Sequence, residues 1–352
     1  MKYLLRFGFG LAVALVIALS AVWTSFRRQE KLEHFYERVV FQVIADRVTQ
    51  GAPDAQSALV RILDYVHPRV VLPSNDRPVG DVEPLEILAA GRGWCDQSAN
   101  VFAQMVRTLP LDVRLVFLRT ENGRSPHSIA EVYLDGQWRV VDPFVGMPIF
   151  SRDGKLATRR EIGEDPDLLS DIPNKEQMAS WYKQEPILFN TWHGKRKAWL
   201  DHCPKPVRKT LLCAIQEFYF QLPIATRGLS PEQRLLKRAR HYTFLRRTRA
   251  AERLFNRLRA QSKDESVRQD AGYFLARYYK HLGRFDEALK LFDLSLKEKT
   301  VTSWRPYIFL SMGKIYESLR RPEEALTAYQ RSTLITADAF VAKRVSQLQK
   351  NR

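Results

Sequence analysis

The run His127-Ser128-Ile129-Ala130-Glu131-Val132-Tyr133-Leu134-Asp135-Gly136-Gln137-Trp138-Arg139-Val140-Val141-Asp142-Pro143 decides the reading of this chain. Two strand-like stretches, Ser128 to Leu134 and Gln137 to Asp142, flank Asp135-Gly136, a dipeptide whose residues accept the positive φ of a two-residue hairpin turn. That turn pairs Leu134 with Gln137, so opposed residue numbers sum to 271. His127 then lies opposite Phe144, and Asp142 opposite Ile129. The imidazole and the carboxylate become diagonal neighbours on one face, with Cβ atoms about 7 Å apart or less. A carboxylate placed there fixes the ring tautomer and stabilises the imidazolium.

Upstream, residues 91–99 read Gly-Arg-Gly-Trp-Cys-Asp-Gln-Ser-Ala. Ala99, Phe102, Met105, Val106 and Leu109 follow at helical spacing, which sets Cys95 in the first turn of a predicted helix. The free amides and dipole of a helix start favour a thiolate, the nucleophilic form of sulfur. The same amides, that of Cys95 first and that of Trp94 second, are candidates to hold the oxyanion of a tetrahedral intermediate. Taken singly, a cysteine at a helix start, a loop histidine and an aspartate before proline each have ordinary structural uses. Together they form a candidate nucleophile, base and orienting acid.

Gly93-Trp94-Cys95, then His127 with Glu131-Val132-Tyr133-Leu134, then Gly136-Gln137-Trp138 and Val141-Asp142-Pro143 resemble the transglutaminase-like branch of the papain-like superfamily. The resemblance covers Pro84 to Phe150. It implies a triad of Cys95 as nucleophile, His127 as general base and then acid, and Asp142 as orienter. Ser128-Ile129 departs from the alanine and tryptophan that many relatives carry after the histidine, which bears on the wall of the substrate pocket. No cofactor is implied. No metal site is expected either, because no second cysteine or histidine stands at ligand spacing.

The C-terminal third repeats itself. Ala239, Ala276 and Gly313 are 37 residues apart, as are Tyr242, Tyr279 and Tyr316; Ala251, Ala288 and Ala325; and Phe255, Phe292 and Tyr329. Small residues mark where helices approach closely, and aromatics fill the gaps between turns. Helix pairs of this kind bury their apolar faces only by stacking, which predicts a solenoid. The pattern is similar to tetratricopeptide repeats, though its period exceeds their usual 34. Phe340 to Gln349 would be the closing helix. Residues 231–352 carry 27 Lys/Arg against 13 Asp/Glu, or +14 of the chain's +17. An acidic surface or a protein partner is therefore expected at the repeats. No nucleic acid is expected.

Between these regions the periodicity predicts helices over 29–49, 54–66 and 206–220. Ser151 to Lys155 reads as a turn, and Thr158 with Glu161 as a capping box. Residues 165–230 show no nameable period. Cys203 and Cys213, about 15 Å apart if joined by a helix, cannot bridge. The N-terminal run Phe7 to Trp23 is uncharged and flanked by Lys2, Arg6, Arg27, Arg28 and Lys31. At about 18 residues it is long enough to cross a bilayer. A cleaved signal peptide is the alternative.

The expected architecture is an anchor at 1–26, a catalytic domain at 27–164, a helical connector at 165–230 and repeats at 231–352. The fold class is α+β, a papain-like/transglutaminase-like core with a helix packed on an antiparallel sheet, followed by an all-α helical-repeat solenoid. The function expected is that of a single-pass protein of a bacterial inner membrane, its body extracytoplasmic, which hydrolyses an amide or peptide bond of a protein or peptide substrate through a thioester. Transglutaminase-type cross-linking is one alternative, and a non-catalytic scaffold whose repeats bind a partner is another.

Overall fold

The computed structural model describes residues 32–70, 83–170, 172, 174–192, 205–221, 228–297, 304–333 and 339–350. The chain divides into two compact units, one of residues 1–40 and 199–229, the other of 41–198 and 230–352. Helix α1 spans 32–49 and contributes its residues up to 40 to the smaller unit. There Tyr36 stacks on Tyr219, ring centroids 4.2 Å apart, and Gln216 Nε2 donates to the Tyr36 hydroxyl at 3.1 Å. Tyr219 and Gln216 belong to α7 (Lys205–Gln221).

The larger unit opens with α2 (Ala55–Val66), whose start is fixed by Asp54 accepting from the Ser57 amide at 2.7 Å. Next come α3 (Pro84–Ala90) and α4 (Cys95–Val106). Ala99, Phe102, Met105 and Val106, which carry the helical spacing of α4, are all buried. Strands β1 (Val113–Leu118), β2 (His127–Leu134), β3 (Gln137–Val141) and β4 (Ile187–Trp192) form an antiparallel sheet in the order β3-β2-β1-β4. The β2–β3 register pairs Leu134 with Gln137 and Ala130 with Val141, as the Asp135-Gly136 turn requires. Both turn residues have positive φ, 50° and 79°.

Helix α4 lies against β1 and β2. Helices α5 (Arg159–Glu164) and α6 (Lys175–Lys183), with a short 3₁₀ turn at Pro166–Leu169, close over Val116, Ile129 and Val140 of the sheet to form one core. The Thr158–Glu161 capping box starts α5. Strand β4 falls within 165–230, where the sequence shows no period. Its Ile187, Leu188 and Phe189 are all exposed, so no alternation of apolar and polar residues marks it. It joins the sheet by backbone pairing to β1, with an irregularity between Leu115 and Val116.

Helices α8 (Pro231–Phe244), α9 (Thr248–Gln261), α10 (Glu265–His281), α11 (Phe285–Lys297), α12 (Arg305–Ser318), α13 (Pro322–Thr333) and α14 (Ala339–Lys350) pack in sequence, each on the next. The small and aromatic residues of the 37-residue period face inward: Ala239, Ala276, Ala251, Ala288, Ala325, Phe255, Phe292 and Tyr329 are fully buried. A Cβ at Gly313 would stand 2.5 Å from Tyr329 Cε1, so that position needs the smallest residue. The period also fixes the turns within each pair. Arg246, Gly283 and Arg320, spaced by 37, all adopt positive φ. The residue after each, Arg247, Arg284 or Arg321, places its guanidinium over the ring of Tyr242, Tyr279 or Tyr316 at 4.1, 4.0 and 4.9 Å.

The membrane placement requires correction. Among the described residues no helix is long and apolar enough to cross a membrane, and the apolar run Phe7 to Trp23 lies outside them. The first helix that is described, α1, carries Glu33, Glu37, Arg38, Asp46 and Arg47, charges that a bilayer core would not accept. The single-pass assignment and the transmembrane helix are therefore withdrawn. Cys203 also lies outside the described residues.

Candidate active site

Three segments converge on one imidazole. Gly91, with φ 71°, ends α3 in the left-handed conformation. The chain then passes Gly93, where a Cβ would meet Val70 Cγ1 at 2.8 Å and Ile87 Cγ2 at 3.0 Å. Only hydrogen fits there, which lets the backbone turn tightly and present Cys95 as the first residue of α4. Cys95 is partly exposed. Trp94, half exposed, precedes it in extended conformation, and its amide donates to Gln97 Oε1 at 3.0 Å. The Trp94 amide is thus engaged, while Cys95 supplies the first amide of the helix proper.

His127 begins β2 and is buried, as is Asp142, which follows the last residue of β3. His127 Nε2 and Asp142 Oδ2 are 2.6 Å apart. The aspartate is itself held: its Oδ1 accepts from the amides of Phe144 at 3.0 Å and Val145 at 3.1 Å. Pro143 makes this possible by bending the chain just past the strand. Cys95 lies close enough to the same imidazole for its side chain to help hold the ring's charge. With Nε2 engaged by Asp142, Nδ1 is the ring nitrogen left for the sulfur.

Electrostatics follow from this contact order. Burial by itself would lower the His127 pKa. The Asp142 carboxylate and its hydrogen bond outweigh burial, the cysteine adds to them, and the imidazole is pushed up to about 10. The cation is therefore the favoured form of the ring at neutral pH.

The surroundings include residues that the sequence reading did not assign. The Phe144 ring meets His127 edge to face, centroids 5.6 Å apart, and blocks one side of the imidazole. His67, at the end of α2, hydrogen-bonds the Pro143 carbonyl through Nδ1 at 3.2 Å. It holds the segment that holds Asp142. Tyr182 of α6 is fully buried, and burial together with the Asp142 and Glu131 carboxylates keeps its phenol neutral well into the alkaline range. Glu131, on the same strand face as His127 by the period of two, is neutralised by Arg114 Nε at 2.7 Å and Arg159 Nε at 3.6 Å. Two of these carried a sequence signal: Phe144, as the residue opposite His127 in the extended hairpin register, and Glu131, as part of the motif after His127.

Residues 42–143 match the family model described as Transglutaminase-like superfamily. No curated protein and no solved structure matches the chain. The matched segment runs from α1 to the residue after Asp142 and includes Cys95 and His127. The match supports a transglutaminase-like domain at residues 42–143, and members of that superfamily are generally cysteine enzymes.

Proposed function

We propose that this chain is a cysteine-dependent acyl-transfer enzyme that hydrolyses an amide or peptide bond, with Cys95, His127 and Asp142 as its triad. The observation that carries the reading is the imidazole's setting, with the Asp142 carboxylate 2.6 Å from Nε2 and the ring's charge coupled to Cys95, which leaves Nδ1 as the nitrogen for the thiol. In that setting the proton of the pair already rests on His127, and Cys95 Sγ attacks the substrate carbonyl carbon. The Cys95 amide at the start of α4 receives the developing oxyanion. Collapse expels the amine, which takes its proton from His127 and leaves a thioester on Cys95. His127 then removes a proton from water, which attacks the thioester and frees the acid. Partial exposure of Cys95 supports water as the acceptor, since the acyl group would lie open to solvent.

The helix pairs α8 to α13 are in this reading tetratricopeptide-like repeats stacked as a solenoid, with α14 closing the array. Their basic surface suits an acidic protein partner or substrate.

The test is competitive alkylation of the full chain with a small electrophile, read residue by residue. Cys95 should label at least tenfold faster than Cys213 at pH 7, and His127→Ala should remove the difference. Equal slow labelling of the cysteines, unaffected by His127→Ala, would refute the enzyme and leave a scaffold.

A further inference from the structure

Five arginines from four separated segments line a single cavity of about 270 Å³ in the larger unit: Arg47 of α1, Arg69 after α2, Arg240 and Arg246 at the end of α8, and Arg277 of α10. His281 joins them. Three of the guanidiniums are fixed by backbone carbonyls rather than carboxylates. Arg47 Nη1 donates to Phe244 O at 3.0 Å, Arg69 Nη1 to Tyr65 O at 2.7 Å, and Arg277 Nη2 to Pro68 O at 3.1 Å. A carbonyl satisfies the N–H geometry and leaves the positive charge uncompensated. Two of the planar cations also rest on aromatic faces, Arg69 on Tyr65 at 3.6 Å and Arg240 on Phe274 at 3.9 Å, which keeps their edges available for hydrogen bonds.

No aspartate or glutamate lines the cavity among the described residues. The nearby carboxylates are engaged: Asp270 accepts from Arg240 at 2.8 Å and from Trp304 Nε1 at 2.8 Å, and Glu86 pairs with Lys237 at 2.9 Å. Arg277 is 7% exposed, yet its Nη1 is buried without a hydrogen-bond partner among the described residues. Arg240 Nε is in the same condition. Mutual repulsion is visible in the titration of the cluster. Burial first, then Arg277 and Arg47, lower the Arg69 pKa to about 10. Both ring nitrogens of His281 lie against Arg69 Nη2.

Guanidiniums held by backbone carbonyls, with no carboxylate among the described residues of the cavity wall, are relieved by an anionic occupant. We infer that this cavity is a binding site for a small polyanion of phosphate type carrying two or more phosphoryl groups. Its volume equals that of roughly nine waters at about 30 Å³ each, more than one phosphate fills. The bidentate fork of a guanidinium matches phosphoryl oxygens. This inference is independent of the catalytic reading, since Cys95, His127 and Asp142 do not line the cavity.

Isothermal titration of the full chain with inorganic pyrophosphate, at constant ionic strength, tests it. The expected result is saturable one-to-one binding, at least tenfold weaker in Arg277→Gln and in Arg69→Gln and unchanged in Arg160→Gln, which removes an equally charged side chain that is 84% exposed. If Arg277→Gln does not fold, Arg246→Gln, at an exposed turn, gives the same readout with a smaller loss. Parallel titration with a nucleoside diphosphate separates the two sources of the chemistry. Tighter binding of the nucleotide assigns the site to a carried diphosphate, and equal or weaker binding assigns it to the free ion. Absence of saturable binding, or equal weakening by Arg160→Gln, would overturn the inference.

Discussion

Replacing Asp142 by Asn tests the site more sharply than removing the cysteine, because it changes one charge and preserves the shape. Oδ1 of Asp142 accepts two backbone amides, from Phe144 and Val145, and an asparagine oxygen can keep both bonds. The amide nitrogen must then occupy the Oδ2 position, 2.6 Å from His127 Nε2. It can only donate, so Nε2 must become an acceptor and the ring proton moves to Nδ1, toward the sulfur. The imidazole then loses its ability to accept the thiol proton. Its pKa should fall from about 10 toward the ordinary value near 6.5. At about 1.4 kcal/mol per unit this amounts to roughly 5 kcal/mol, an upper figure, and breaking a buried pair costs about 3–5 kcal/mol.

The pH dependence has a definite sign. The folded histidine has a higher pKa than the unfolded one, so the stabilisation is complete below about pH 6.5 and is lost as pH rises through about 10. Urea unfolding of wild type and Asp142→Asn should therefore differ by about 3–5 kcal/mol at pH 6 and by little near pH 10.5. Alkylation of Cys95 at pH 7 should slow by about two orders of magnitude or more. A stability difference that stays constant from pH 6 to 10.5, with unchanged alkylation, would refute the charge coupling between the three residues.

The neighbours of the triad and the repeat give further expectations. Tyr182→Phe removes a buried hydroxyl that has no hydrogen-bond partner among the described residues, so the melting temperature should stay the same or rise. A fall of several degrees would show that the hydroxyl is satisfied. Gly146→Ala should destabilise by more than about 2 kcal/mol in denaturant unfolding, because its φ is +75° and the added Cβ would lie 2.1 Å from His67 Cγ. Arg320→Gly should stabilise by up to about 1 kcal/mol by relieving a positive φ of 56°, as Gly283 does at the equivalent turn. Thermal unfolding measures it, and a loss of stability would mean that the Arg320 side chain contributes more than the strain costs.

Much of the site was legible in the chain because its parts are local. The Asp135-Gly136 turn fixes the register of β2 and β3, and through it the placement of His127 near Asp142. The apolar spacing after Cys95 sets the start of α4, and the 37-residue period marks the inward positions of α8 to α13. Each depends on backbone periodicity and turn chemistry, which act over a few residues and leave a pattern in the sequence. Tertiary packing alone decided the rest. Strand β4 joins the sheet through backbone hydrogen bonds with its apolar side chains exposed, so no alternation announces it. His67 and Tyr182 reach the triad from helices far away in sequence. Arg47, Arg69, Arg240 and Arg277 each look like ordinary surface arginines in the sequence, and only the folding of α1, α2, α8 and α10 around one cavity brings their charges together. Such juxtapositions come from contacts between distant segments, and no residue spacing encodes them.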